Sequence, residues 1–478
     1  MGGLSLTNLI ALDSVVGVPL AWQPQLSGSV NCLALSGETL FVGGDFSKAG
    51  GNDRNSFAAV DTLTGAPKAW MLNLAGPANV ISAAGGSLFV GGTFNIVNGV
   101  VRHGLAALDL ATGRATDWDP DVGGGTNSSA GVVQSLVIAG DTLIAGGSFT
   151  TVGRLARTNL AGLDLVTAAS ASWVPQTDGP VSSFVVSSNT VYAGGNFLRM
   201  GGISRTNVGA FAVPSGRVTD WKPNANRRVS ALAIVDAEVL TGGSFSFIGG
   251  QSRNGIAAVD LTAGQATPWD PFSSGEVLSL AVAGRSVLVG GQFSSIGGQF
   301  RTNLAALDIA TGIATDWNPS ANGKVTRLWV SNNLVFVGGE FTRLGGQIRS
   351  RVASLDLVKL LATDWNPVAN GAVYAFAVAD DLVLTAGAFS SVAGDFQQGL
   401  AIFRKIGYST LAAGLTPERI FQLQLHGNAG ESYVIEAATD LTRWFPVVTN
   451  TAVNGTFIFT DQETPRFFNR FYRAVPKR

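Results

Sequence analysis

Arginine recurs along the chain at Arg54, Arg102, Arg157, Arg205, Arg253, Arg301 and Arg349, each seven residues before a position that most copies fill with Asp. A guanidinium is planar, permanently charged and forked to match a carboxylate, so such a ring could hold the carboxylates of an acidic polysaccharide or protein. The stretch between each Arg and its Asp covers roughly 20 Å at about 3.3 Å per residue, which forbids pairing within one copy. The plainer alternative is that each Arg bonds loop carbonyls of its own copy. Repetition weighs towards that, because sites usually break a repeat rather than follow it. Departures from the repeat are few. The insertion Gly123–Ala130 carries Asn127, Ser128 and Ser129, and Arg227-Arg228 stands where another copy has Gly323-Lys324. They read as a contact patch or as loop drift.

Other reactive side chains are scarce. Glycoside hydrolysis needs two carboxyl groups roughly 5–9 Å apart. The non-repeat acids Glu38, Asp45, Asp236, Glu276, Glu340, Asp380 and Asp381 fall mostly in different turns or strands, and Asp380-Asp381 is a turn pair. His103 has no second His nearby and reads as a surface side chain. The single cysteine, Cys32, excludes a disulfide framework and a Cys/His zinc cluster, and reads as a small buried apolar residue. No calcium loop, Walker loop or nucleophile elbow is present. The sequence therefore assigns no catalytic residue, no metal ligand and no cofactor. With 31 basic and 32 acidic residues the net charge is −1, which argues against nucleic acid as a partner. Charged residues make up 13% and mean hydropathy is +0.28. Every apolar stretch is cut by Gly, Ser, Asn or Asp well short of the roughly 18 residues a membrane span needs, so strands buried on both faces are expected and no span.

The elements that carry these residues are set by internal repetition. Two small residues, any residue and Phe end at Phe46, Phe94, Phe149, Phe197, Phe245, Phe293, Phe341 and Phe389, at intervals of 48 with one of 55. Trp22, Trp70, Trp118, Trp173, Trp221, Trp269, Trp317 and Trp365 keep the same clock. Each unit reads as four short strands, for example Val325–Val330, Leu334–Phe341, Val352–Leu357 and a stretch around Ala362–Trp365. A Pro two residues after most of these Trp removes a ladder donor and puts the fourth strand at the outer edge. The first strand is then innermost. An Asp-x-x-Thr-Gly turn follows the third, as at Asp109, Thr112 and Gly113, and at Asp308, Thr311 and Gly312. Its Asp accepts backbone N–H groups and its Gly supplies the positive φ. The Trp nine residues beyond is large enough to fill the wedge between neighbouring sheets.

At Ala107, Asp109, Thr112, Gly113 and Trp118, and at Ala306, Asp308, Thr311, Gly312 and Trp317, the chain resembles the tryptophan-docking repeat of the quinoprotein dehydrogenases, with one extra residue before Trp. That resemblance implies an eight-bladed β-propeller in which Trp stacks on the adjacent blade. It does not carry the quinone chemistry, since a chain with only Cys32 cannot form the vicinal disulfide and no matching acidic cluster is found. The Gly-Gly-x-Phe motif and Arg-Thr-Asn strand are more similar to the delta-60 repeats of bacterial surface proteins and to fungal cortical polarity-marker propellers. This likeness covers about residues 1–405 and implies an extracellular or cell-surface protein without established catalysis.

After Lys405 the repeat stops. Residues 406–416 read as a linker and 417–478 as five strands of a small immunoglobulin- or fibronectin-like sandwich. The run from Tyr433 through Trp444, with Phe459, Asp461 and Arg470–Arg473, resembles a module that ends many secreted Verrucomicrobia and Planctomycetes proteins. Met1 begins in mid-repeat, which leaves two readings: an N-terminal strand that closes the ring on the last blade, or a missing upstream segment, including any signal peptide. The expectation is an all-β chain, an eight-bladed propeller of four-stranded blades plus a C-terminal β-sandwich. Its expected role is a non-catalytic scaffold for a protein or polysaccharide. The alternative is a quinone-dependent or glycan-hydrolysing enzyme with convergent acids at the channel mouth.

Overall fold

In the computed structural model the chain divides into two compact units, Met1–Arg404 and Lys405–Arg478. The structure describes residues 11–12, 19–20, 26–62, 66–68, 70, 72–123, 131–171, 175–331, 333–358, 361–363, 368–379, 382–389, 391–392, 395–396, 400–404, 410–415, 421–426, 432–438, 445–451, 456–461 and 471–476. Among them every element is a β-strand, and none is a helix long and apolar enough to cross a membrane.

One repeat explains the others. In the sixth sheet, Glu276–Ala283 pairs antiparallel with Ser286–Gln292, which pairs with Leu304–Asp308. The middle strand is buried along most of its length, which is why it reads as the unbroken apolar run Val-Leu-Val-Gly-Gly. The inner strand bulges by one residue between Val277 and Ser279. The two glycines that end the middle strand answer two separate demands. A Cβ on Gly291 would lie 2.1 Å from the Glu276 carbonyl oxygen behind the bulge. One on Gly290 would lie 2.6 Å from Val325 Cγ1 of the next sheet. The Gly-Gly-x-Phe signature is therefore a packing rule: the first glycine admits the neighbouring sheet's valine and the second admits the bulge.

Between the middle and outer strands the structure adds a feature the sequence reading took for a plain loop. Ser295–Ile296 and Gln299–Phe300 form a two-residue-per-arm hairpin turned by Gly297 and Gly298 at φ of 61° and 76°. Both central residues are left-handed, as the tight turn favoured in hairpins requires. The fourth strand is shorter than expected. In most described repeats it is one bridge, as Leu307 to Ala314, and only Pro19–Leu20, against Ala11 and Leu12, and Leu361–Ala362, against Leu355 and Asp356, count as strands among the described residues. Pro two residues past Trp has no N–H to offer, and the segment turns away to dock its Trp on the next repeat.

Among the described residues eight such sheets occur in Met1–Arg404. Their inner strands are Ser29–Ser36, Ala78–Ala84, Val132–Ala139, Val181–Ser187, Val229–Val235, Glu276–Ala283, Val325–Ser331 and Ala372–Ala379. Each packs beside the next, and the last packs beside the first. The eighth sheet is completed by the start of the chain: Ala11–Leu12 pairs parallel with Ile402 and Phe403 and antiparallel with Pro19–Leu20.

The second unit holds two three-stranded antiparallel sheets. One contains Thr410–Leu415, Phe421–His426 and Thr456–Asp461; the other contains Ser432–Ala438, Phe445–Thr451 and Phe471–Pro476. Leu423 and Phe457 of the first bury against Tyr433 and Ile435 of the second. Thr410–Leu415 corrects the expected linker at 406–416. Its alternation is that of a strand, and Gly407 and Gly414 had weighed too heavily as linker signals. Trp444 and Arg470 lie outside the described residues.

Substituting Gly290→Ala forces the new methyl against Val325 and should destabilise the chain by about 1–3 kcal/mol, as overpacking generally does. The urea midpoint of Gly290→Ala against wild type measures it; an unchanged midpoint would show that the sheets are not in close register there.

Candidate functional site

Five periodic tryptophans are described, and Trp70, Trp118, Trp221, Trp269 and Trp317 are all buried, between 2% and 9% exposed. Trp22, Trp173 and Trp365 lie outside the described residues. In three of them the indole N–H donates forward into the next repeat, Trp118 to the Asp164 carbonyl at 2.8 Å, Trp221 to Asp260 at 2.7 Å and Trp269 to Asp308 at 3.2 Å, whereas that of Trp317 is buried without a partner among the described residues. The same aspartates build the turn that receives the ring. Asp109 Oδ1 accepts the Thr112 N–H and hydroxyl, both at 2.7 Å, and Asp308 Oδ1 accepts those of Thr311 at 2.8 and 2.9 Å. A Cβ on Gly113 would lie 2.3 Å from the Trp70 ring, so the turn glycine leaves room for the indole. Within their own repeats Trp118 and Trp221 meet a middle-strand aromatic edge-on, Phe89 and Tyr192, with centroids 5.0 and 4.9 Å apart, and Trp70 meets Phe41 at a tilt.

The turn hydrogen bonds hold these carboxyls ionised. The Thr112 hydroxyl and N–H keep Asp109 below the usual carboxylate range, the Thr167 N–H does so for Asp164, and the Thr311 hydroxyl for Asp308. Burial opposes ionisation of Asp260, but the Thr262 hydroxyl and the N–H groups of Ala263, Gln265 and Thr262 outweigh it and bring its pKa to about 2.

The arginine ring is turned towards the main chain. Arg205 donates to the Ser204 carbonyl at 2.8 Å and to the Thr219 carbonyl, fourteen residues on, at 2.7 Å. Arg157, Arg253, Arg301 and Arg349 make the same pair of bonds, with Ala171, Thr267, Thr315 and Thr363 as the distant acceptors. Arg102 adds Asp119 to its Val101 and Thr116 acceptors, Arg253 pairs with Asp270, and Arg54 bonds the Asp53 carbonyl. Each full clamp ties the loop before the outer strand to the segment that leads to Trp. Arg227 is exposed, and Asn127 lies outside the described residues.

The structure gathers a different set of side chains. Each inner strand has its bulge at the same repeat position, leaving Asn31, Asn79, Gln134, Ser182, Ser230, Leu278, Thr326 and Tyr374 off the ladder. All eight line one cavity of about 680 Å³, together with Arg228, Lys324 and Arg327. Several of these strands are laced across sheets: Asn31 donates to the Ala78 carbonyl at 3.2 Å, Ser135 to Val181 at 3.2 Å and Thr326 to Val373 at 3.0 Å. The Ser182 hydroxyl is buried in the wall with no partner among the described residues. Arg228, Lys324 and Arg327 form no ion pair among the described residues, and the nearby Glu276 is bonded to Ser230 at 3.4 Å. Arg327 keeps access to solvent yet is ringed by protein, and that burial lowers its pKa.

Sequence reasoning singled out Arg228 as a repeat departure and missed Arg327, Trp329, Tyr374 and Gln134. For Gln134 and Tyr374 the available signal was the residue after the recurrent inner-strand valine, which differs among most copies; Arg327 and Trp329 stand two and four residues past it, where the other copies are small or apolar. His103 is not a lone surface side chain: its Nδ1 lies 2.7 Å from Asp121 Oδ1. Cys32 is buried, and burial pushes its thiol pKa far up. Among the described residues no three His, Cys, Asp or Glu side chains stand together as a metal site. Asp380 and Asp381 lie outside them.

No family model matches the chain, and no curated protein does. Among solved structures it is similar to the computationally designed Ika8 protein, at 16% identity and a TM-score of 0.51 over 82% of this chain and 99% of that one. The N-terminal domain of Nup159 aligns at 13% identity with a TM-score of 0.31, over 65% of this chain and 87% of that one. The first likeness shows the fold alone: a propeller-like array of small antiparallel sheets.

Two outcomes follow from the docking geometry. Trp221→Ala should cost about 3–5 kcal/mol, read from the urea midpoint, since it empties a buried pocket and strands the Asp260 carbonyl. Because Asp260 has its pKa depressed in the folded state, its contribution is complete above the unfolded value near 4 and is lost as pH falls towards 2. Melting temperature against pH should therefore fall less steeply over that window in Asp260→Asn than in wild type. Parallel curves would remove the turn from the account.

Proposed function

We propose that the eight sheets are the blades of a closed β-propeller, that the two C-terminal sheets pack as a sandwich, and that the chain is a non-catalytic scaffold binding a protein or glycan partner. A secreted or surface location belongs to the same reading and rests on the likeness to delta-60 repeats. The observation that carries it is the division of labour between side chains. The residues that follow the repeat are committed to internal bonds, the Trp to the next turn and the Arg to their own loops. The residues that break it converge on one water-filled cavity of about 680 Å³ whose wall offers amides, hydroxyls and cations. Small-molecule and group-recognition sites are concavities of roughly this size with a few convergent polar groups.

The test is the full chain probed on glycan and peptide arrays, beside hydrolase and dye-reduction assays. Saturable binding without turnover is expected. Blank arrays together with turnover would replace the scaffold reading by an enzymatic one.

A further inference from the structure

The axial wall is uneven. At the position two residues past the buried valine of the inner strand, the eight copies read Cys32, Val80, Ser135, Ser183, Ala231, Ser279, Arg327 and Ala375, so one cation stands among small or apolar residues. Two residues further on, the copies are Ala, Ser or Val except for Trp329. At the bulge itself Tyr374 is the one aromatic. Successive side chains of a strand alternate in direction, so Arg327 and Trp329 share a face, with buried Leu328 pointing the other way. Trp329 is 42% exposed and Tyr374 39%, whereas the middle-strand aromatics Phe41, Phe89, Tyr192 and Phe336 are buried. The repeat is thus broken in one sector, by a cation and two open aromatic faces on adjoining strands. Lys324 and Arg228 stand just ahead of the valines of their own inner strands, on the side where the hairpins lie.

These groups have one chemistry in common. A guanidinium held in a protein-walled cavity without a carboxylate calls for an anion, and its fork fits a carboxylate. An exposed indole and phenol offer flat apolar faces with a polar edge. The cavity wall also carries the amide of Gln134, an open hydrogen-bonding group. A sugar acid supplies all three: a carboxylate, an apolar ring face and hydroxyls. An acidic peptide supplies the first alone. We propose that the sector formed by Arg327, Trp329 and Tyr374 is a binding site for the carboxylated sugar of an acidic polysaccharide, with Lys324 and Arg228 drawing the anion to the mouth. This rests on the reading of the chain as a binding propeller and names its ligand class.

The probe is trigalacturonate, with its methyl ester as the neutral twin, titrated calorimetrically into the full chain. The acid should bind, the ester should bind much more weakly, and affinity for the acid should fall with added salt. Arg327→Gln should weaken binding roughly tenfold to a hundredfold, the cost of a charge-assisted bond, at an unchanged melting temperature. Trp329→Ala should weaken acid and ester alike. Should Arg327→Gln fail to fold, the comparison of acid with ester and the Lys324→Glu variant at the mouth, expected to weaken the acid alone, keep the test decisive. Equal binding of acid and ester, or full binding by folded Arg327→Gln, would overturn the proposal, as would polyglutamate binding more tightly than the sugar acid. Neutral glycans or peptides bound independently of Arg327 would overturn this site and leave the scaffold reading standing, whereas empty arrays would remove both.

Discussion

A twisted three-stranded sheet cannot bury both of its faces by itself, and in this chain the indole settles where the second face goes. The described Trp side chains bury at the outer edge; Trp70, Trp118 and Trp221 lie against an aromatic of their own middle strand, and Trp118, Trp221 and Trp269 donate the indole N–H to the carbonyl of the next repeat's turn aspartate. The bond is directional, so it fixes the angle between sheets as well as their adjacency. The inner side has its own lock, the valine seated on the neighbour's first glycine. With both edges pinned, little freedom is left for a sheet to rotate about its neighbour. Several side chains at and beside the bulges add to this lacing, and the others that line the cavity are free to vary.

This explains how much of the fold could be read from the residues. The Trp and Phe clocks, the Asp-x-x-Thr-Gly turn and the glycine pair are all parts of the lock between sheets, and such parts must be repeated to work. Strand positions, the inner place of the first strand and the burial of the described indoles followed from them. The fourth strand was overestimated because its apolar residues were assigned to a ladder, whereas Pro and the departing Trp leave room for one bridge. The small hairpin was missed because its arms are two residues long, too short for alternation to register. The strand Thr410–Leu415 was hidden by its glycine.

The candidate site was far less legible, for a physical reason. Arginine catches the eye as a charge, and seven in register look like a surface device. Six of them, all but Arg54, instead hold carbonyls fourteen residues downstream, a relation between two loops that spacing alone does not show. The channel residues belong to a bulge, and a bulge shifts the inside-outside alternation by one. Read with strict period two, Thr326 and Arg327 point to opposite faces; with the bulge in place, both line the cavity.

The parallel pairing of Ala11–Leu12 with Ile402 and Phe403 joins segments about 390 residues apart. This contact becomes possible only once residues 402–403 have been made, so the eighth sheet stays unfinished until nearly the whole repeat array has emerged from the ribosome. The entropy of closing so long a loop grows only logarithmically with its length, so the delay costs time more than free energy. Once made, the seam places Ala11–Leu12 inside the eighth sheet, and a force pulling on the chain ahead of residue 11 would have to shear that pair from Leu400–Arg404 before any other sheet of the first unit felt the load.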